Sequence, residues 1–155
     1  MILIPAPLLK VVVDAAEAAY PGECCGLLVG RTDAAASVVV TRVEPSPNRS
    51  QGSGYDSFEV DPELRFRVMR DLEGTPHPII GHYHSHPDHP AQPSRRDLES
   101  AWEPDLVWLI TSVVAGQAVQ TTAHAVDADG RQFREIGLRT TDWQPYPERP
   151  APEGG

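Results

Sequence analysis

The sequence predicts a single-domain α/β fold, on three observations. The chain has 155 residues, a length that suits one domain. Helix signals, in the spacing of residues 6–20 and in start signals at Asp61 and Ser94, alternate with short apolar runs of strand length. No internal repeat and no second compositional block breaks this alternation.

Each element follows from its residues. In residues 6–20, Leu8, Leu9, Val12, Val13, Ala16 and Ala19 or Tyr20 recur at near-helical spacing, and Pro21-Gly22 ends the pattern. Residues 24–30 form an apolar run expected to be a buried strand. The Val-rich residues 37–43 are expected to be a second. Pro, Ser, Asn and Gly make 45–54 a loop. Asp61-Pro62-Glu63 starts a helix: a capping acceptor, a proline suited to the first turn, and an acid at the positive end of the dipole. That helix is expected to run to about Glu73, with Gly74 as its stop. Residues 78–86 read as a strand, 87–93 as a loop, and Ser94 as the cap of a helix over 95–102. Strands follow at 105–114 and 118–126, then a turn at Asp129-Gly130 and a last strand near 131–138. The expected domain spans 1–139. The Pro-rich residues 140–155, ending in Gly154-Gly155, are expected to be a flexible tail.

Composition narrows the function. Hydrophobic residues make up 40% of the chain, enough for a real core, and charged residues 23%. The net charge of −9 argues against a nucleic-acid partner, since phosphate binding needs a basic face. The apolar N-terminus lacks a basic leader, contains Pro5 and Pro7, and is broken by Lys10 and Asp14. It falls far short of the ~20 residues that span a bilayer, so neither a signal peptide nor a membrane span is expected. Cys24 and Cys25 are adjacent, and neighbouring cysteines rarely close a relaxed disulfide. Free thiols packed in the core and a reducing cytoplasm are expected.

The chemistry concentrates in GHYHSHPDHPAQPSRRD, where four histidines fall within eight residues and Asp97 follows. On a strand, alternate side chains share a face, so His82, His84 and His86 point the same way. Two histidines two apart can reach one ion. Asp97, in the first turn of the next helix, can face back toward them. Two imidazoles and a carboxylate leave a fourth zinc position open, the mark of a catalytic rather than a structural site. An ion held so activates water near neutral pH. Hydrolysis also needs a base. Glu23 opens the apolar 24–30 run, and a carboxylate against buried surface is shifted toward the useful range. Ser94 could donate to a developing oxyanion, beside its role as a helix cap.

His84-Ser85-His86-Pro87, six residues, then Ser94-Arg95-Arg96-Asp97, resembles the JAMM motif of MPN+ metalloproteases. The segment from Pro21 to Gly30 resembles that family's upstream glutamate segment, and Phe58-Glu59-Val60-Asp61-Pro62 its approach to the second helix. The resemblance covers roughly 1–138. It implies a mixed β-sheet flanked by helices, related to cytidine deaminases. It implies zinc on His84, His86 and Asp97, Glu23 as general base and Ser94 at the oxyanion. The small size is similar to Mec-type bacterial members. Those cleave a residue such as cysteine from the Gly-Gly end of a ubiquitin-like sulfur-carrier protein. The implied activity is a zinc peptidase or isopeptidase in the cytoplasm. A non-catalytic MPN scaffold and a RadC-like DNA-repair-associated protein are the alternatives.

The family often has an aromatic residue where this chain has His82. His82 therefore competes as a ligand, but is expected to be packed or behind the ligands, because the motif fixes His84 and His86 relative to Pro87, Ser94 and Asp97. His77, His89 and His124 are expected at the surface or in loops, with His89 possible at the cleft rim. Trp102 and Trp108 are expected in the core or beside the cleft. Arg95 and Arg96 are expected to be solvated or to meet a carrier's acidic surface. Gly154-Gly155 is expected to be a flexible end, with occupation of a cleft as the sharper alternative.

Overall fold

The computed structural model describes residues 1–50, 57–99, 105–127, 129 and 132–142. Its elements in chain order are β1 (Ile2–Pro5), α1 (Ala6–Ala19), β2 (Cys25–Thr32), β3 (Val38–Ser46), α2 (Pro62–Asp71), β4 (Ile79–Pro87), α3 (Arg95–Glu99), β5 (Val107–Val114), β6 (Gln117–Val126), β7 (Phe133–Ile136) and β8 (Leu138–Thr141). The strands form one sheet in the order β7-β6-β5-β4-β2-β3-β1-β8. It is mixed. β4 runs parallel to β5, and β1 parallel to β3 and β8, while the other pairs are antiparallel.

β2 lies near the middle because its first six residues are all buried. A strand covered on both faces reads as a continuous apolar run rather than an alternation. Leu28 joins a core with Ile2, Ile4, Val12, Ala16, Val40, Tyr83 and Leu109. Leu27 and Val29 point the other way and pack on Leu64 and Val68. Helix α1 therefore covers one face through Val12 and Ala16, one turn apart. Helix α2 covers the other through Leu64 and Val68, at the same spacing. Asp61 caps α2 as its sequence implies: its carboxylate accepts from the Glu63 N–H at 3.1 Å, with Pro62 in the first turn.

The structure departs from the sequence reading at the margins. β1 went unread, because a short apolar run entering a helix carries no period of its own. Pro45 and Ser46 extend β3 into the expected loop. The last expected strand is two strands, β7 and β8, separated by Gly137, and β8 takes in Thr140 and Thr141 from the expected tail. Residues 143–155, with Gly154-Gly155, lie outside the described residues, as do Trp102 and the end of the expected 95–102 helix. No helix among the described residues is long and apolar enough to cross a membrane.

Gly26, Gly30 and Gly81 are fixed by close approaches, and Gly26 is the one that faces a side-chain ring. Gly26 pairs with Tyr83 across β2 and β4, and a Cβ there would collide with the Tyr83 ring. That ring is fully buried in the α1 core and has no room to swing away. Gly26→Ala should therefore lower stability by roughly 1–3 kcal/mol, the usual range for overpacking. The Tyr83 hydroxyl is buried without a protein partner among the described residues. Removing an unsatisfied polar group is neutral or favourable. Thermal melts should show a lower Tm for Gly26→Ala and an equal or higher Tm for Tyr83→Phe. The opposite order would contradict this packing.

Candidate active site

His82, His84 and His86 share the β4 face that α2 covers further along, while Tyr83 takes the α1 side. His84 Nε2 and His86 Nε2 stand 3.0 Å apart. Asp97 closes the group: one carboxylate oxygen lies 3.3 Å from His84 Nε2 and the other 3.2 Å from His86 Nε2. All three side chains are buried. Four-coordinate zinc with bonds of about 2.0–2.1 Å requires ligand atoms roughly 3.3–3.4 Å apart. The two Asp97 contacts, made by different oxygens, come close to that spacing, and the His84–His86 separation is shorter than it. Glu23 also comes in: it forms with His84 and His86 a group whose ligand atoms all lie within 4.8 Å of one another. Both carboxylates thus flank the histidine pair, with Asp97 at ligand-edge distances.

The chain path explains the convergence. Cys25 pairs with His84, and Ser85 N–H donates to Cys24 C=O at 3.2 Å. One further step along this antiparallel register brings Glu23 beside His86. Ser85 Oγ accepts from Cys24 N–H at 2.8 Å, tying the two segments where the ladder ends. Asn48 ties residues 57–59 to Glu23. Its amide donates to Glu23 C=O and Ser57 C=O and accepts from the N–H groups of Ser50 and Glu59. Between those anchors Phe58 stacks on His84, 4.2 Å centroid to centroid at 14°. Trp108, 2% exposed, meets His84 edge-on.

Asp97 is placed by a reciprocal cap. Its N–H donates to Ser94 Oγ at 3.0 Å, and its carboxylate accepts from Ser94 N–H at 2.8 Å. This is a capping box with aspartate as the acid. Ser94 Oγ acts there as acceptor, so its own proton remains available to the cleft. The cleft, about 360 Å³, is lined by Glu23, His86, Ser94 and Asp97 with Pro87, Pro90 and Pro93, and His89 and Gln92 at its rim.

Protonation states follow from the same contacts. Burial pulls the His84 imidazole below its ordinary value, more than Asp97 can offset. Burial also opposes charge on His86, but bonds to Asp97 and the Pro90 carbonyl outweigh it and raise that imidazole. Burial pushes Asp97 up, yet its bonds to the two histidines hold it well below the usual carboxylate range. His86 Nδ1 lies 2.9 Å from Pro90 C=O, which can only accept. The Nδ1 therefore carries the proton, and Nε2 is bare toward Asp97 and His84 when the ring is neutral.

Among the described residues the group that could hold a metal is Glu23, His84 and His86; neither His82 nor Asp97 is part of it, although Asp97 touches both histidines. The His82 ring lies 4.1 Å from Trp108 and 5.6 Å from Phe58, and burial, aided by His84, pushes it down to about 3. It is a packed histidine. His77 is half-buried in a loop beside Thr41, and the exposed His89 lines the cleft. The expectation for His124 fails: it is buried at 4% exposure, its Nε2 2.7 Å from Thr122 Oγ1. Sequence reading passed over Asn48, Ser112 and Thr122, and misplaced His124. Only Ser112 in mostly apolar β5, and Thr122 and His124 among the alanines and valine that end β6, could have drawn attention to the last three.

The family model for prokaryotic homologs of the JAB domain matches residues 5–127, and the chain belongs to that family. It is 34% identical over 118 residues to the desampylase of Haloferax volcanii, covering 76% of this chain and 78% of that one. It is 30% identical over 115 residues to the CysO-cysteine peptidase of Mycobacterium tuberculosis, covering 72% and 73%. The fold is shared with a JAB1/MPN domain protein from Archaeoglobus fulgidus at TM-score 0.56 and 22% identity, over 92% of this chain and 100% of that one. The JAMM/MPN+ resemblance and the mixed α/β fold it implies therefore hold.

The two cysteines are free and buried beside the site, and burial pushes Cys24 up to about 11 and Cys25 to about 12. Such thiols carry almost no thiolate near neutrality and should be inert. A disulfide reagent at about pH 8 should label neither in the folded protein and both after denaturation. Fast labelling of the native chain would contradict this environment.

Proposed function

We propose that this chain is a zinc-dependent peptidase that hydrolyses the amide bond at the C-terminal Gly-Gly end of a ubiquitin-like sulfur-carrier protein, for example releasing cysteine. The observation that carries the reading is the set of His84, His86 and Asp97 atoms at 3.0–3.3 Å, with Glu23 beside it at the floor of an open cleft. The donor set of two imidazoles and one carboxylate suits zinc with one position free. When bound there, zinc would supply Lewis acidity and an activated water.

The chain's residues do the rest. Glu23, 6% exposed, is buried at the cleft floor, where it can take a proton from the attacking water and pass it to the leaving nitrogen. The water oxygen bonds to the carbonyl carbon, and the carbon–nitrogen bond breaks. Ser94 donates its free hydroxyl proton to the carbonyl oxygen as charge builds there. Pro87, Pro90 and Pro93 make a stiff lining without N–H groups. A Gly-Gly end has no side chain to clash with it. The names of the two relatives, a desampylase and a CysO-cysteine peptidase, support a substrate of this class. A scaffold role would not need the intact set of ligands, and a net charge of −9 speaks against DNA work.

Glu23→Gln should lower turnover of a carrier–cysteine adduct, followed by mass, about 10²–10⁴-fold while retaining one zinc per chain. Loss of the zinc in that variant would make Glu23 a ligand instead of the base. Normal turnover would remove it from the mechanism. Stripping the protein with a chelator should abolish cleavage, and adding zinc should restore it. Unchanged cleavage by the stripped chain would refute a metal mechanism.

A further inference from the structure

Three successive carbonyls in the loop between β4 and α3 are each held by a side chain from a different strand. Ser112 Oγ on β5 donates to His89 C=O at 2.6 Å. His86 Nδ1 on β4 donates to Pro90 C=O at 2.9 Å. Thr122 Oγ1 on β6 donates to Ala91 C=O at 2.5 Å. Thr122 has one hydroxyl proton, and Ala91 C=O takes it. The His124 Nε2, 2.7 Å from the same oxygen, must then be the donor in that contact. Ser112 pairs with His86 in the sheet, and Thr122 and His124 pair with Ile110 and Trp108, so all lie on the face that carries the histidines. Ser112, Thr122 and His124 are buried, and Ala91 is 2% exposed.

We propose that Ser112 and Thr122, with His124 behind Thr122, are positioning residues for the candidate metal site. They fix the carbonyls on either side of Pro90, and so keep the Pro90 carbonyl aimed at His86 Nδ1. That bond sets which nitrogen of His86 faces the ion and how its ring is turned. The same loop leads into α3, so the clamp also sets the distance from β4 to Asp97. An apolar residue would fill positions 112 and 122 equally well for packing. Hydroxyls are required there only because the loop turns its carbonyls inward, where an unpaired one is costly.

This inference rests on the zinc reading above, and its test separates the two. Zinc affinity of the full chain is measured by competition with a chromophoric chelator, and ligand geometry by the visible spectrum of the cobalt-loaded protein. Thr122→Val, which keeps the shape and loses the hydroxyl, should weaken zinc binding about tenfold to a hundredfold and alter the cobalt bands. Thr122→Ser should restore both. Ser112→Ala should act in the same direction, and carries the test if Thr122→Val does not fold. Wild-type affinity and spectrum in the two hydroxyl-deleted variants would overturn the positioning role alone. Failure of Thr122→Ser to restore binding would also overturn it. A wild-type chain that takes up no zinc would sink the hydrolase reading and this one with it.

Discussion

Two imidazole nitrogens cannot stand 3.0 Å apart without a proton or a cation that rewards the approach, and around this pair the rest of the site is arranged. Asp97 answers them in the described contacts, holding a low-pKa carboxylate against both rings. A divalent ion is the other kind of partner that a pair of imidazoles and nearby carboxylates could take. The arrangement is costly to bury otherwise, since His84, His86, Asp97 and Glu23 all lie out of solvent.

The fold supplies this cluster by bringing three chain segments to one end of β4. β2 carries Glu23 to the histidines through antiparallel pairing with β4. The loop after β4 turns at Asp88, whose left-handed φ of 56° an aspartate tolerates better than most residues. Tyr20 and the Ala115 N–H both bind the Asp88 carboxylate, and Asp88 N–H reaches Val113 C=O. The loop is thus tied to α1 and to the β5–β6 turn before it delivers Asp97 on α3. The aromatic rings of Phe58 and Trp108 then hold His84 in place. Among the described residues its Nδ1 has no hydrogen-bond partner.

Much of this was legible in the chain. Alternation along β4 put the three histidines on one face, and the cap at Ser94 put Asp97 one turn into a helix, because both rules are local. The adjacent thiols read correctly as buried and unbridged. What escaped the reading was short or non-local. β1 is four residues with no period, and the split at Gly137 falls inside one apolar stretch. His124 read as a surface residue because nothing in the sequence near it shows that a loop more than thirty residues upstream folds over its strand.

The sequence by itself supplied the candidates for a cation site and for a base, and it determined where the two main helices begin. Those depend on residue type and on spacing within a few positions. Only the tertiary structure decided that Glu23 reaches His84 and His86 from the neighbouring strand, and that His82 packs on Trp108 instead of joining them. It alone decided that Ser112 and Thr122 grip the loop that orients His86. The physical reason is that sheet pairing joins residues far apart in the chain. Its register is set by the whole buried pattern rather than by any one segment.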